Sequence, residues 1–206
     1  MKKIVIIGAD NKTAQLVEKN LENLVTMVLI IKSNVNISFN NSQVFKINQV
    51  SSQDLVNYLS DANLIFAIAG ISNMIKDTQA VLEAAKRSNV KRIIWVATPG
   101  LYTSIHSENR SQTEENYGDL EDENSFIGSE KVAIKIIQTD PEVNSTIICP
   151  NYITDNKNIE NYSVTNFKEH ATSWPISRAT VARFCSDLIL NSDQYNHSTI
   201  SIGHTK

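Results

Sequence analysis

Lys2-Lys3-Ile4-Val5-Ile6-Ile7-Gly8-Ala9 decides how this chain folds. Ile4 to Ile7 form an unbroken β-branched run with no polar residue on either face. Such a run suits a strand covered on both sides, as in a parallel sheet, and not an alternating, half-exposed strand. The run stops at Gly8. A helical pattern follows over 12–24, with Leu16, Val17 and Leu21 at helical spacing. A buried strand, a glycine turn and a helix start bring free backbone N–H groups to the carboxyl edge of a sheet, where a phosphate can sit. The stretch therefore predicts a dinucleotide-type turn, with Gly8, Ala9, Asp10, Asn11, Lys12 and Thr13 as its binding residues.

Outward from this turn the same rhythm repeats. Strand-like runs occur at 26–31, 43–47, 64–69, 92–97, 145–149 and 199–202. Helical patterns fill the gaps at 52–60, 75–88, 130–139 and 177–190, the first opening on Ser51 or Ser52 and the last on Ser177 as N-cap. In the 130–139 helix, Val132, Ala133, Ile136 and Ile137 are expected to point inward. Alternating strands and helices with right-handed crossovers give an α/β fold: a doubly wound, mostly parallel, Rossmann-like sheet. The expected strand order is 3-2-1-4-5-6, with the last strand beyond or at the edge. A chain of 206 residues makes one domain, 1–206. Within it, the Asn- and aromatic-rich stretch 151–174 reads as a small substrate-side appendage, placed at 151–176.

Composition narrows the function classes. A net charge of -3 argues against nucleic acid or an anionic membrane as partner. The basic start Met1-Lys2-Lys3 is followed by too short an apolar run for a secretory signal, and no run is long enough to span a membrane, so a cytoplasmic protein is expected. Cys149 and Cys185 lie far apart without a partner motif and read as reduced, partly buried thiols. His106, His170, His197 and His204 lack metal-ligand spacing, so no metal is expected. Trp95 reads as core and Trp174 as packing. The stretch 103–125 carries Glu108, Glu114, Glu115, Asp119, Glu121, Asp122 and Glu123 against Arg110 alone. A mobile acidic surface loop is the first reading and a lid over the site the second.

The turn keeps only the first of the three glycines that such turns use. Gly8 allows the tight bend, Asn11 stands where backbone must approach a pyrophosphate, and Ala14 stands where helix and strand pack closely. Asp10 could cap the first helix and take the position of the phosphate, whereas Lys12 could neutralise a phosphate. After the second strand the chain reads Ile31-Lys32-Ser33-Asn34, without the acid that would hold the ribose hydroxyls of NAD. Lys32 and Ser33 suit a 2′-phosphate, which makes NADP the expected cofactor and NAD the alternative; a solvated lysine at a strand end is the competing reading.

With Gly8, Lys32, the run Val96-Ala97-Thr98-Pro99-Gly100-Leu101-Tyr102 and the run Ser177-Arg178-Ala179-Thr180-Val181-Ala182 in place, the chain resembles the atypical short-chain dehydrogenase/reductase proteins of the NAD(P)H-binding, NmrA-like kind. The resemblance extends over nearly the whole chain. The family turn Gly-Ala-Thr-Gly-Lys-Thr-Gly maps onto 8–14, with Asp10, Asn11 and Ala14 as departures. The family's Val-Ser-Ser-x-Gly-x-Tyr maps onto 96–102, with Ala97 and Thr98 in place of the serines. Its adenine-side Gly-Asp-Val appears as Asn48-Gln49-Val50, and its Arg-Pro as Cys149-Pro150. The resemblance implies an oxidoreductase or a relative of the nucleotide-sugar epimerases. The expected cofactor contacts are completed by Asn48, Gln49, Val50, Ala69, Gly70, Thr98 and Pro150.

Typical members protonate substrate with a Tyr placed four residues before a Lys on the helix after strand five. Here the Lys position falls on Lys131 and the Tyr position on Ile127, beside Phe126. Thr98 and Lys131 are the expected catalytic residues, Thr98 retaining the one hydroxyl of the set. Hydride transfer to a small acceptor without a phenolic acid is the leading expectation. A dinucleotide-binding sensor without catalysis, and a scaffold that has lost the cofactor, are the alternatives. A small-molecule ligand is the expected partner, with a homodimer as a further option.

Overall fold

The computed structural model describes residues 1–32, 34, 36–68, 73–98, 101, 117–166 and 174–205. The opening apolar run becomes β1 (Lys3–Ile7), an interior strand of an eight-stranded sheet. In chain order the further strands are β2 (Thr26–Ile31), β3 (Ser42–Lys46), β4 (Leu64–Ile68), β5 (Arg92–Val96), β6 (Asn144–Pro150), β7 (Ile153–Thr154), β8 (Tyr162–Asn166), β9 (Ile176–Ser177) and β10 (Ser198–His204). The helices among the described residues are α1 (Lys12–Leu21), α2 (Ser52–Tyr58), α3 (Met74–Arg87), α4 (Phe126–Thr139) and α5 (Arg178–Leu190).

The sheet runs β3-β2-β1-β4-β5-β6-β10-β8. Every pairing in it is parallel except β10 with β8. The expected order is therefore observed through β6. The last strand is not at the edge, because β8 pairs antiparallel outside it, with Ile202 opposite Val164. That strand comes from the expected appendage, which is thus stitched into the main sheet. β7 and β9 form a separate parallel pair.

Alternation along β1 builds two cores. Ile4 and Ile6 face a layer made by α1 and α5, whereas Val5 and Ile7 face α2, α3 and α4. Each fully buried aliphatic side chain contributes about 1.5–3 kcal/mol, so both faces of this strand must be apolar. Arg92, buried at the amino end of β5, donates to Asn144 O (3.3 Å) and Thr146 Oγ1 (2.7 Å) on β6. That cation ties strands together at the end of the sheet away from the Gly8 turn. No helix among the described residues is long and apolar enough to cross a membrane.

Helix boundaries follow capping. Ser51, Ser125 and Ser177 accept from Asp54 N, Gly128 N and Thr180 N as N-caps of α2, α4 and α5. α1 ends at Leu21, short of the expected 24, because Asn23 adopts φ 66° and the chain turns. α4 begins at Phe126, four residues before the expected start at 130. Its inward face is Ile127, Glu130, Ala133, Ile134 and Ile137, so Val132 and Ile136 are not its deepest residues. Gly128 makes the extra turn feasible, since a Cβ there would lie 2.0 Å from the Asp122 carbonyl oxygen. Of the acidic stretch 103–125, residues 103–116 lie outside the described residues. The remainder folds back on α4, with Ser125 Oγ donating to Asp119 O at 2.5 Å.

Candidate functional site

Gly8 sits at the carboxyl end of β1 with φ 81°. A Cβ at this position would meet Ile68 Cγ2 at 3.0 Å and the Ile68 carbonyl oxygen at 3.1 Å. The N–H groups of Gly8 and Ala9 both donate to Ile30 O at 3.1 Å, which fixes the turn to β2. β1 is flanked by β2 and β4, the point where an open α/β sheet reverses its winding and leaves a crevice. The first helix therefore starts where a ligand phosphate would be bound.

The cap of α1 is Asn11, not Asp10. Asn11 has extended backbone and its Oδ1 accepts from Thr13 N at 2.8 Å. The Asp10 carbonyl instead accepts from Gln15 Nε2 at 3.2 Å. Asn can cap from the residue directly before the helix, where Oδ1 reaches the second helical N–H; Asp10 is one residue too early. The Asn11 side chain thus uses one of the donors at this helix start. The other N-terminal donors and the Gly8 bend remain suited to a pyrophosphate, and a dinucleotide fits the turn. Lys12 is exposed on the first residue of α1. Thr13 is buried, and its hydroxyl accepts from Arg178 Nη1 at 3.0 Å.

Lys32, at the end of β2, is tied to Asp77 in the first turn of α3, with Nζ 3.1 Å from Oδ2. The Lys32 side chain is 29% exposed and that of Asp77 6%. Asp77 thus pairs the ammonium that the sequence offers to a 2′-phosphate. Asn48 and Gln49 are exposed after β3, and Val50 is buried against the α2–α3 layer. Pro150 closes β6 opposite Ile202. Ser33, Ala69 and Gly70 lie outside the described residues.

At the carboxyl end of β5, Thr98 is buried and its N–H donates to both carboxyl oxygens of Glu130, at 3.2 and 3.1 Å. Glu130 has no exposed surface. Burial pushes its pKa up to about 7, against hydrogen bonds from the Thr98 hydroxyl and amide that favour the carboxylate. The buried Trp95 indole adds a weaker pull toward the carboxylate. Cys149 on β6 is close enough for Glu130 to raise its thiol further above a value already raised by burial.

Lys131 does not join this group. Its ammonium pairs with Glu121 Oε1 at 2.7 Å, and its side chain is 43% exposed. One residue along a helix is a rotation of about 100°, so when Ile127, Glu130 and Ile134 face the sheet Lys131 faces the 117–125 segment. Ile127, at the expected Tyr position, is core. The residue brought to Thr98 is Glu130, which the sequence reading did not select. Its signal was an acid in the middle of an apolar stripe, three residues after Ile127 and four before Ile134.

The structure gives Arg178, in the Ser177–Ala182 run, a structural role. It links three elements, donating to Thr13 on α1 and to Asp155 Oδ1 from Nε at 2.9 Å. Glu160 and Ser177 add to this clasp, Ser177 N donating to Glu160 Oε2 at 2.7 Å. The 151–166 segment is thereby held to the start of α5, beside the Gly8 turn.

A doubly wound sheet with a glycine turn at its switch point defines a dinucleotide-binding protein. The NAD(P)H-binding family matches residues 8–192, and the chain belongs to that family. Among curated proteins none matches in sequence. Among solved structures, a short-chain dehydrogenase/reductase from Veillonella parvula in complex with NADP is 19% identical over 98% of this chain and 94% of its own, with a TM-score of 0.84. An oxidoreductase from Lactococcus lactis is 16% identical over 99% and 91%, with a TM-score of 0.78. A Rossmann-fold NAD(P)-binding protein from Shigella flexneri is 20% identical over 99% and 94%, with a TM-score of 0.73. At these identities the likeness establishes the fold.

Proposed function

We propose that this protein is an NADPH-preferring reductase that passes hydride to a small carbonyl or quinone acceptor at the carboxyl ends of β5 and β6. The observation that carries the reading is the pairing of two features on one sheet edge: the Gly8 turn at the start of α1, and Thr98 at the end of β5, supported from behind by Glu130. The first suits a pyrophosphate; the second supports a threonine at the strand end beside which such sheets bind ligands. Membership of the NAD(P)H-binding family supports the cofactor class, and the Veillonella neighbour was solved with NADP. When bound, a reduced nicotinamide supplies the hydride. The chain's part is to hold the cofactor at the turn, to position the acceptor oxygen at Thr98 and to cover the site with the clasped 151–166 segment.

A thermal-shift series with NADPH, NADH, FAD and FMN tests the binding. Ligand at 100 times its dissociation constant stabilises a fold by about 2.7 kcal/mol, a clear shift for a chain of this size. NADPH oxidation with quinones, flavins and small carbonyls then tests the chemistry. NADPH binding with no turnover on any acceptor would replace the reductase by a sensor.

The preference for NADPH rests on Lys32, whose charge is shared with Asp77. A 2′-phosphate would compete with that carboxylate for the ammonium. Asp77→Asn is therefore expected to widen the preference for NADPH over NADH by about three- to tenfold, through a charge-assisted contact released to the ligand. Lys32→Glu is expected to narrow or invert it. Calorimetric titration of both cofactors against the three proteins measures this. Equal affinities of the unaltered protein for NADPH and NADH would remove Lys32 from the cofactor site.

A further inference from the structure

We propose that the cavity on the outer face of α1 is a second ligand site, which takes a small amphipathic acid: one anionic head, a carboxylate or a phosphate ester, on an apolar body. The site does not depend on the reductase reading above.

Four residues of α1 line the cavity: Lys12, Gln15, Leu16 and Lys19. Steps of three and four place them on one face of the helix. Ala14, Val17 and Leu21 occupy the opposite face and are buried in the core. α1 therefore stands between this cavity and the sheet, whereas the dinucleotide crevice opens at the Gly8 turn. Lys12, at the helix start, borders both. Phe39, packed on the core between β2 and β3, contributes one wall, and the 155–157 stretch with the start of α5 contributes another. These walls are fixed without a ligand. Asp155 Oδ1 lies 2.8 Å from Arg178 Nη2, Asn156 Nδ2 donates to Glu160 Oε1 at 2.9 Å, and Phe39 N donates to Ser42 Oγ at 3.2 Å. A preformed site avoids much of the ordering cost of binding. The cavity encloses about 620 Å³, within the range of about 300–1,000 Å³ that small-molecule sites occupy.

The lining selects the ligand. Leu16, Phe39 and Ala179, with the stems of the long side chains, supply apolar surface. Lys12, Lys19, Lys157 and Arg178 supply four cations against one acid, Asp155. That acid is already engaged. Arg178 bonds it, and Lys12 adds to the pull that holds its pKa below the usual carboxylate range. Among the described residues no carboxylate pairs with Lys19 or Lys157. An anionic head therefore meets ammonium groups that the fold has not neutralised. A cationic head would be repelled, and a neutral one would leave those groups unused. The whole chain carries a net charge of -3, so the excess of positive charge is local to this cavity. Its concave shape suits one small molecule and not the broad face of a macromolecule.

Calorimetric titration with octanoate, octyl phosphate, octylammonium and octanol tests the site. Octanoate or octyl phosphate is expected to bind, and the tighter of the two identifies the head. Octylammonium and octanol, which lack the charge, and inorganic phosphate, which lacks the body, should each bind at least about tenfold more weakly. Lys19→Glu and Lys157→Glu should each weaken the anion about tenfold, because reversal turns attraction into repulsion, and added salt should weaken it in the unaltered protein. Lys91→Glu, at an exposed lysine outside the cavity, should leave binding unchanged. Ala179→Trp fills the cavity and should abolish binding. The two exposed lysine positions keep the test decisive if that variant does not fold. Saturating NADPH should leave the anion bound. No binding of either anion, octanol binding as tightly as octanoate, an equal loss in Lys91→Glu, or complete displacement by NADPH would overturn the site. Capture of the protein by phosphatidylglycerol vesicles, with no binding of the monomeric anions, would also overturn it and make this face a membrane contact.

Discussion

Glu18→Leu is expected to raise the melting temperature, and to raise it more at about pH 9 than at about pH 5, because the change removes a buried carboxyl whose ionisation opposes folding. Glu18 lies on the inner face of α1 between Ala14 and Leu21, with no exposed surface. Neither carboxyl oxygen has a hydrogen-bond partner among the described residues. Burial, and secondarily the negative Asp10, push its pKa from 4.5 to about 8. The unfolded chain loses this proton near 4.5 and the folded chain only near 8, so between these values the folded state holds the extra proton. Stability therefore falls as pH rises through that window, and the loss is complete above it. The full shift corresponds to an upper bound on the order of 5 kcal/mol, and relaxation of the surroundings reduces it. A gain of about 2–3 kcal/mol at alkaline pH, or roughly 5–10 °C, is expected. Glu18→Gln should recover only part of it, since an unpaired amide is also costly to bury. Thermal unfolding at both pH values measures this. A gain independent of pH, or a loss, would show that the carboxyl is satisfied in the fold.

Gly8→Ala is expected to cost about 2–3 kcal/mol of stability and to weaken NADPH binding by at least tenfold. Left-handed backbone alone costs an L-residue roughly 1–2 kcal/mol. The rest comes from crowding: the new methyl would press on Ile68 Cγ2 at 3.0 Å and on its carbonyl oxygen at 3.1 Å. Ile68 cannot retreat freely, because it pairs with Val96 on β5. The turn would have to open, pulling Gly8 N and Ala9 N from Ile30 O and displacing the start of α1 from the ligand position. Denaturant unfolding and calorimetry read the two effects separately. A stability loss below about 0.5 kcal/mol with unchanged affinity, less than the left-handed cost alone, would mean that the turn adapts and that Gly8 does not set the site.

Local pattern alone carried the architecture as far as β6. Runs such as Ile4–Ile7 are apolar on both faces, and that property depends only on residue order, so strand, glycine turn and helix could be read directly. The caps Ser51 and Ser177 were legible for the same reason, since a cap is settled within a few residues. β8 was not legible: Tyr162-Ser163-Val164-Thr165-Asn166 is only half-buried and becomes a strand by pairing with β10, a partner more than thirty residues away. The early start of α4 depends on the 119–125 turn lying against Gly128.

At the candidate site, the positions of Gly8 and Thr98 were legible in the sequence, because a bend and a strand end are local features. Tertiary structure decided the charges. Glu18, Asp77 and Glu130 each interrupt an apolar helix stripe, which marks them as unusual but does not say what they meet. Among the described residues, folding leaves Glu18 unpaired, sets Asp77 on Lys32 and sets Glu130 on Thr98, while Lys131 is carried round the helix to Glu121. Spacing along a helix fixes which residues share a face. What that face meets is fixed only by packing, and for a buried carboxyl the partner determines both its charge and its use.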